Sequence, residues 1–364
     1  MKKNKFTNIN AVSYFRWIFR KNESLNQIVF FFLSQVNATS ARFFPLFEAS
    51  NNIRIVYFNG LNVPKTDYFV SKIANILYSL AKRRFEKYEY IHIVGGSTKL
   101  KNRFQILHLD DPNYSQKEIN FLLNWEKQIV SQGFNSIVVC TNNLTKRHLE
   151  TLLTRTLIIK IEQGYDSPSN NHRIIQNGKK TSFSCVYSSP YIHIGDDKHA
   201  NHQTWGAELL INSILPQLYL RDPMIEVHLI GELGKCAKSQ LMNIGNIVYH
   251  GRVNFEENMN LLSGCSIGIY PRNIDYKRSM SKIFTYIGAG LPIVTFDLYD
   301  TEVVKENQLG YAVSSVEEFV DKIIFLKDNP HELKLLQQRV NLFKPDYTWK
   351  NLSKKMEEHL PKKF

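Results

Sequence analysis

Short apolar runs of strand length alternate with amphipathic segments along most of the 364 residues. Runs such as Ile53–Phe58 and Ser136–Cys140 are apolar almost throughout, whereas Tyr68–Arg84 places its apolar residues three and four positions apart. Strands that are apolar on both faces are typical of a parallel sheet covered by helices on both sides, and the 3.6-residue spacing is typical of the covering helices. The alternation therefore predicts an α/β protein built from doubly wound parallel sheets.

The segment 165–182 interrupts this alternation with proline, glycine, asparagine and charged residues. Such a composition is typical of a linker, and the alternation restarts near Cys185. We therefore predict two domains of similar size, 26–164 and 183–344, joined by the linker 165–182. Because ligands of doubly wound sheets bind at the carboxyl ends of the strands, we expect the site in a central cleft that both domains face.

The composition limits the class of protein and its compartment. A hydrophobic content of 43% is enough for two cores, and the four cysteines have the spacing of neither a zinc site nor a disulfide framework. No apolar run approaches the roughly 18 residues of a membrane-spanning helix, and no small-residue cleavage site follows an apolar stretch. We therefore expect a cytoplasmic protein.

The formal net charge of +13 suits a polyanionic partner. Residues 1–25 form a basic, aromatic N-terminal extension, with six lysines and arginines and no acid before residue 23. Two interpretations stay open: the extension lies on the inner face of an anionic membrane, or it packs its aromatic residues on the body of the protein. Elsewhere the basic residues are scattered rather than interleaved with aromatic ones, so no nucleic-acid partner is predicted.

The stretch SKIFTYIGAGLPIV (281–294) places a cation at the start of a predicted helix, Ser279–Ile287. Helix N-termini attract anions, so Lys282 and the backbone amides there could hold a diphosphate. Gly288 and Gly290 would end the helix. The alternative is an ordinary α/β connection with a solvated lysine. Two further glycine loops follow predicted strands, at Gly95-Gly96 and at Gly231-Glu232, and each is either a ligand-binding turn or a plain connection.

This stretch resembles the sugar-nucleotide signature of the GT-B glycosyltransferases, in the broad family-4-like group. The segment NIVYHGRVNFEENMNLLSGCSIGIYP (246–271) is similar to the strand–glycine–helix–strand passage of that group. In the first domain, KYEYIHIVGG (87–96) and SIVVCTNN (136–143) follow the family's order. The last segment, YTWKNLSKKMEEHL (347–360), resembles the helix that crosses back onto the first domain, which sets a final element at 345–364.

The resemblance implies a GT-B fold of two Rossmann-like domains and a metal-independent transferase without a cofactor. Lys282 would then neutralise the diphosphate of a nucleotide-sugar donor, and the turn at Gly231 would pass close to the nucleotide. The remaining donor-site residues that it implies are Glu232, Tyr270, Arg272, Ser281, Thr285, Glu302 and Val303. The two glutamates usual in the family are absent, because Lys277 and Thr285 stand in their places. The closest motifs are those of bacterial glucosyltransferases that lack this pair.

The acceptor side needs a base if the reaction inverts the sugar carbon. His108, Asp110 and Asp111 stand at the end of the predicted strand Gln105–Leu109, where they would face the cleft. Asp111 is also well placed to cap a helix that starts at Pro112, which is the structural alternative. Further acceptor contacts are predicted for Asn37, Arg42, Gly95 and Gly96.

The sequence therefore predicts a glycosyltransferase that moves a sugar from a nucleotide-sugar, with UDP favoured over GDP, to a glycan, lipid-linked or protein-linked acceptor. Such an enzyme would serve surface polysaccharide or glycoconjugate synthesis, with possible peripheral membrane association. Two alternatives stay open: a GT-B epimerase, and a catalytically inactive partner protein of the same shape.

Overall fold

The structure, a computed structural model, describes residues 28–33, 54–59, 90–94, 104–109, 116–131, 133, 135–165, 183–197, 206–274 and 281–359. The N-terminal extension, most of the linker and the helix predicted over Tyr68–Arg84 lie outside the described residues. The chain divides into two compact units. The first comprises Met1–Gln163 with Trp349–Phe364, and the second comprises Gly164–Thr348.

The first unit contains only parallel strand pairs among its described residues. Its elements are β1 (Ile28–Leu33), β2 (Arg54–Asn59), β3 (Tyr90–Val94), β4 (Phe104–Leu109), α1 (Gln116–Ser131), β5 (Asn135–Cys140), α2 (Asn143–Leu152), β6 (Leu157–Lys160) and, from the C-terminal segment, α11 (Trp349–Glu357). Strands β1 and β2 form one sheet, and β3 to β6 form a second in chain order. This is the parallel arrangement that the apolar runs predict.

The second unit is built on one six-stranded parallel sheet. Its strands are β7 (Ser184–Ile192), β8 (Glu226–Leu233), β9 (Ile247–Gly251), β10 (Ile267–Tyr270), β11 (Ile293–Phe296) and β12 (Gly310–Val313). Their spatial order is β12-β11-β10-β7-β8-β9, so the chain starts in the middle of the sheet, builds one half, and returns to build the other. That is the doubly wound order of nucleotide-binding sheets, with its reversal between β7 and β10.

Helices cover this sheet on both faces. They are α3 (Ala207–Leu209), continuing through a π turn (Leu210–Ile214) into α4 (Leu215–Arg221), then α5 (Lys235–Leu241), α6 (Phe255–Gly264), α7 (Ser281–Gly288), α8 (Glu302–Glu306), α9 (Val316–Asp328) and α10 (Pro330–Phe343). Alternate residues of one strand enter different cores: Cys185 and Tyr187 pack with α4 and α9, whereas Val186 packs with α6 and α7. Burial on both faces is why these strands are almost continuously apolar.

Helix boundaries in this unit follow their capping residues. Asn254 precedes α6 and accepts a hydrogen bond from the Glu257 amide at 3.0 Å, and Ser315 does the same for the Glu318 amide of α9 at 3.1 Å. These bonds satisfy amides that have no partner inside the helix. Within the described parts of the chain, no helix is both long and apolar enough to cross a membrane.

Candidate functional site

A cavity of about 310 Å³ opens at the carboxyl ends of β7 and β8, where α6 and α7 begin. We call it the β7–β8 pocket, and it is lined by Ser188, Ser189, Pro190, Ile230, Gly231, Arg252, Val253, Asn254, Phe255, Asn258, Lys282, Thr285 and Tyr286. All of these residues belong to the second unit. The pocket lies on the side of the sheet where doubly wound folds bind their ligands.

An irregularity in the pairing of β7 with β8 shapes the floor of the pocket. The register of the two strands shifts between Ser188 and Tyr191, and the Ser189 carbonyl turns towards Gly231. A Cβ atom at Gly231 would lie 1.7 Å from that oxygen, and the residue has a φ of +142°. Only glycine fits this backbone without strain.

The position of Gly231 corrects its predicted setting. The sequence predicts a turn there, whereas β8 continues through Glu232 and Leu233, and the loop begins at Gly234. Gly234 makes room for Asp197, whose carboxylate accepts hydrogen bonds from the Cys236, Ala237 and Ile194 amides. The start of α5 is therefore occupied by the protein's own anion.

Two basic side chains line the pocket. Lys282 is the second residue of α7; its Nζ is buried and lies 5.1 Å from the centre of the Tyr187 ring. Arg252 follows β9, with 58% of its side chain exposed. Its Nη1 lies 3.2 Å from a Glu232 oxygen, and its guanidinium carbon lies 5.2 Å from the centre of the Tyr191 ring. The pocket thus combines a desolvated cation with a solvated one, which together suit a ligand with more than one negative charge.

Neutral polar groups form the opposite part of the lining. The Ser188 hydroxyl donates to Oδ1 of Asn258 at 2.9 Å, and the Thr285 hydroxyl donates back to the Ser281 carbonyl at 2.9 Å. The Tyr286 hydroxyl accepts from the Ser188 amide at 3.0 Å and donates to the Ile269 carbonyl at 3.2 Å. Burial raises the pKa of Tyr286 far above its usual value, so this hydroxyl stays protonated. Tyr286 therefore has a structural role, linking β7 and β10 through its hydroxyl, rather than the role of an acid.

The structure brings three of the nine predicted donor residues to the pocket: Gly231, Lys282 and Thr285. Glu232 lies beside it, through its contact with Arg252. Five others do not line the pocket: Tyr270, Arg272, Ser281, Glu302 and Val303. Tyr270 is 1% exposed within β10, while Ser281 starts α7, and Glu302 and Val303 lie at the start of α8.

Arg272 departs most clearly from its prediction. Its side chain is 3% exposed and forms an ion pair with Asp300 at 3.0 Å. It also donates to the Ile274 carbonyl at 2.8 Å and to the Tyr270 hydroxyl at 3.3 Å. These contacts join the loop after β10 to the turn after β11, so Arg272 is a structural cation in this unit.

Of the predicted acceptor and base residues, only His108 falls within the described residues, and only its backbone is described. His108 is the penultimate residue of β4, where its backbone pairs with Val94 and Val139. Asp110 and Asp111 follow the end of that strand and lie outside the described residues, as do Asn37, Arg42, Gly95 and Gly96. Within the described ranges no three histidine, cysteine or acidic side chains cluster closely enough to hold a metal ion. The prediction that no metal is needed stays a prediction.

Sequence reasoning missed the wall formed by residues 252–258. A usable signal was present, because the segment Gly251-Arg252-Val253-Asn254 joins a predicted strand to a predicted helix through a glycine and a capping residue. Its cation follows the carboxyl end of a strand, where ligands of such sheets bind. Ser188 and Asn258 gave no such signal, since their contact depends on two chain segments that are distant in sequence.

No protein-family model matches the sequence, and no curated protein matches it. Among solved structures, the chain is similar to a glycosyltransferase from Rickettsia africae ESF-5, with 13% identity and a TM-score of 0.64 over 92% of this chain and 97% of that one. It is also similar to HepE (Alr3699) of Anabaena, solved in complex with UDP-glucose, with 12% identity and a TM-score of 0.58 over 91% and 98% of the two chains.

A TarM variant from S. aureus, solved with fondaparinux, α-GlcNAc-glycerol and UDP, matches with 12% identity and a TM-score of 0.52 over 74% of this chain and 55% of that one. The chain thus spans about half the length of TarM. A candidate UDP-N-acetylglucosamine 2-epimerase from Listeria monocytogenes is similar as well, with 11% identity and a TM-score of 0.57 over 91% and 95% of the chains. These likenesses show the fold, which is GT-B, and the prediction of two Rossmann-like domains is confirmed.

Proposed function

We propose that this protein is a glycosyltransferase that takes a sugar from a nucleotide-sugar, with a UDP-sugar favoured, and passes it to a glycan, lipid-linked or protein-linked acceptor. The observation that carries the proposal is the placement of Lys282. Its buried ammonium group lines a pocket at the carboxyl ends of β7 and β8, in a sheet of nucleotide-binding order.

Sugar transfer from such a donor leaves a nucleoside diphosphate, whose negative charge grows as the glycosidic bond breaks. A cation that is already desolvated interacts with that charge more strongly than one in water. Lys282 stands in the first turn of α7, where the helix dipole adds partial positive charge. Arg252, which also lines the pocket, supplies a second positive charge. These groups suit the stabilisation of the leaving diphosphate.

The preference for uridine rests on the structural neighbours. HepE was solved with UDP-glucose and the TarM variant with UDP, and both have the GT-B fold in common with this chain. A cavity of about 310 Å³ suits a nucleotide rather than a whole donor with its sugar and acceptor. The sugar would then extend out of the β7–β8 pocket.

The acceptor side of the proposal rests on position in the chain. His108 is the penultimate residue of β4, and Asp110 and Asp111 follow that strand in the sequence; the carboxyl ends of strands are the functional edge of a doubly wound sheet. One of them would take the proton of the acceptor hydroxyl if the reaction inverts the sugar carbon. A role in surface polysaccharide or glycoconjugate synthesis, with the N-terminal extension on a membrane, is the corresponding biological proposal.

The test measures nucleotide binding to the full chain. UDP, GDP, ADP and CMP, each with one matching nucleotide-sugar, are titrated against wild type and Lys282→Ala while the unfolding temperature is followed. A ligand at a hundred times its Kd stabilises a protein by about 2.7 kcal/mol. We expect one nucleotide class to stabilise the wild type, and the Lys282→Ala variant to bind it about 10- to 100-fold more weakly.

The matched control is Lys238→Ala, which removes an exposed lysine from α5 in the same unit. It should bind nucleotide as the wild type does. If no nucleotide stabilises the wild type, the transferase proposal fails and an inactive partner protein becomes the better interpretation. An epimerase is distinguished by its product, since it would change the sugar of the bound donor without any acceptor, whereas a transferase releases nucleoside diphosphate only as acceptor is glycosylated.

A further inference from the structure

Asn258 lines the β7–β8 pocket, and among the described residues one half of its side-chain amide is used in a hydrogen bond within the protein. Its Oδ1 accepts the Ser188 hydroxyl at 2.9 Å. An amide oxygen held in this way fixes the opposite orientation for the amide nitrogen, Nδ2. Within the described residues, Nδ2 has no acceptor in the protein, and Asn258 lines the pocket. A ligand atom that accepts a hydrogen bond would satisfy this group.

The wall that carries Asn258 suits a nucleotide base better than a phosphate. Val253 and Phe255 give it apolar surface, and Phe255 is 46% exposed although it is a large aromatic residue. Glu256 and Glu257 stand in the first turn of α6 and make the start of this helix unfavourable for an anion. The cation Lys282 belongs to a different helix, α7. The α6 part of the lining is therefore apolar with one amide, while the two cations lie on α7 (Lys282) and directly after β9 (Arg252).

We propose that Asn258 selects the base of the donor, because its Nδ2 donates to the carbonyl O4 of uracil. Cytosine carries an amino group at the same ring position, and two donors facing each other would each lose a partner. Ser188 is the positioning residue, since its hydroxyl holds the amide in the orientation that donates. The inference rests on the proposed function, to which it adds a residue that distinguishes one pyrimidine from the other.

The experiment exchanges the donor for an acceptor. The variant Asn258→Asp keeps the shape of the side chain and can still accept from Ser188, but it presents an oxygen to the pocket in place of Nδ2. Affinities for UDP and CDP are measured by calorimetric titration on the full chain. We expect the wild type to bind UDP about tenfold or more tightly than CDP, because mispairing a buried polar group is costly.

In Asn258→Asp the ratio of the two affinities should fall by about tenfold or more and approach inversion, while both affinities fall because a carboxylate now faces a diphosphate. Asn260→Asp is the matched control, since it makes the same charge change two residues away at an exposed position of α6. It should keep the wild-type ratio. The ratio rather than either affinity is the informative quantity, because a general electrostatic effect lowers both equally.

A second variant guards against misfolding of the first. Ser188→Ala removes the hydroxyl that orients the amide and adds no charge, so the preference for UDP should shrink towards equality without inverting. If wild type binds UDP and CDP equally, or if Asn258→Asp leaves their ratio unchanged, the inference about Asn258 fails while the proposed function stands. If the wild type binds no nucleotide, the proposed function fails and this inference fails with it.

Discussion

Arg272 and Lys282 lie ten positions apart in the sequence, yet the first is part of a buried ion pair and the second lines a pocket. Arg272 gives its guanidinium to Asp300, to a hydroxyl and to a backbone carbonyl, and its side chain is 3% exposed. Lys282 lines a cavity together with a second cation. A positive charge paired with a buried carboxylate stabilises the fold, whereas a positive charge that lines a cavity can bind an anionic ligand.

The same contrast separates the other polar groups of the second unit. The carboxylate of Asp197 accepts from two backbone amides at the start of α5 and from the Ile194 amide after β7, and His228 and His250 bond to each other at 2.9 Å. Asn258, in contrast, lines the pocket and, among the described residues, uses only the oxygen of its side-chain amide within the protein. Three predictions sharpen this division between a structural and a ligand-facing set.

The largest effect is expected from Asp300→Ala. Removing one partner of a buried ion pair leaves the other charge uncompensated, and such changes cost about 3–5 kcal/mol of unfolding free energy. The double variant Asp300→Ala with Arg272→Met should recover much of that loss, because no unpaired charge remains. Urea unfolding of both variants measures this. The exposed pair Arg221–Asp321 supplies the control, and Asp321→Ala should change stability by less than about 0.5 kcal/mol.

If Asp300→Ala instead leaves stability intact and abolishes nucleotide binding, Arg272 belongs to the ligand-facing set. The distinction between a structural Arg272 and a ligand-facing Lys282 is then wrong. Residual binding at saturating nucleotide is therefore followed in the same samples.

A smaller effect is expected from Gly231→Ala in the floor of the pocket. The added methyl group would meet the Ser189 carbonyl, and the φ of +142° disfavours any side chain, so we expect a loss of about 1–3 kcal/mol. Nucleotide affinity should fall as well, since Ser189 has to move and it lines the pocket. Gly264→Ala is the control, because a Cβ there meets no atom within 4 Å. Equal behaviour of the two variants would contradict the account of the floor.

The smallest effect is a pH dependence that comes from the histidine pair. Burial lowers the pKa of His228, the charge of His250 lowers it further, and Glu226 opposes both; burial also lowers the pKa of His250, and Glu257 opposes it. Because each pKa is lower in the folded protein, the contribution of the pair to stability is complete above the unfolded pKa of about 6.5. It is lost as the pH falls from there through the folded values.

The variant His250→Gln keeps a hydrogen-bonding group beside His228 and removes one of the titrating groups. Urea midpoints measured between pH 8 and pH 5 should fall less steeply in the variant than in the wild type. Identical slopes would show that this pair makes no pH-dependent contribution to the free energy of unfolding, which would contradict its assignment to the structural set.

More of the fold than of the site could be predicted from the sequence. A continuous apolar run predicts a strand of a covered parallel sheet from local sequence alone. The runs Ile53–Phe58 and Ser136–Cys140 therefore match β2 and β5 to within about one residue. Short or half-buried elements lack a clear apolar pattern. Strand β12 has only one fully buried residue and α5 only two, and neither element was predicted. Local pattern does not encode what a weakly apolar segment packs against.

Residue roles at the site depend on partners that are distant in the chain. The sequence places Arg272 at the tip of a strand, which is correct, but nothing near it announces that Asp300 will take its charge. Asn258 is one of two asparagines in α6, and its contact with Ser188, seventy positions earlier, distinguishes it from Asn260. The position of Lys282 at the start of a helix could be predicted because it depends on local sequence, whereas its role in donor binding stays a prediction.

Every residue that lines the β7–β8 pocket falls between positions 188 and 286 of one uninterrupted segment. A recombination event that replaced the first unit would therefore transmit this pocket whole, and one that replaced the second would discard it whole. Under the proposed function, the choice of nucleotide is heritable as a single genetic module. Descendants of this chain could then acquire new acceptors without re-evolving the recognition of their donor.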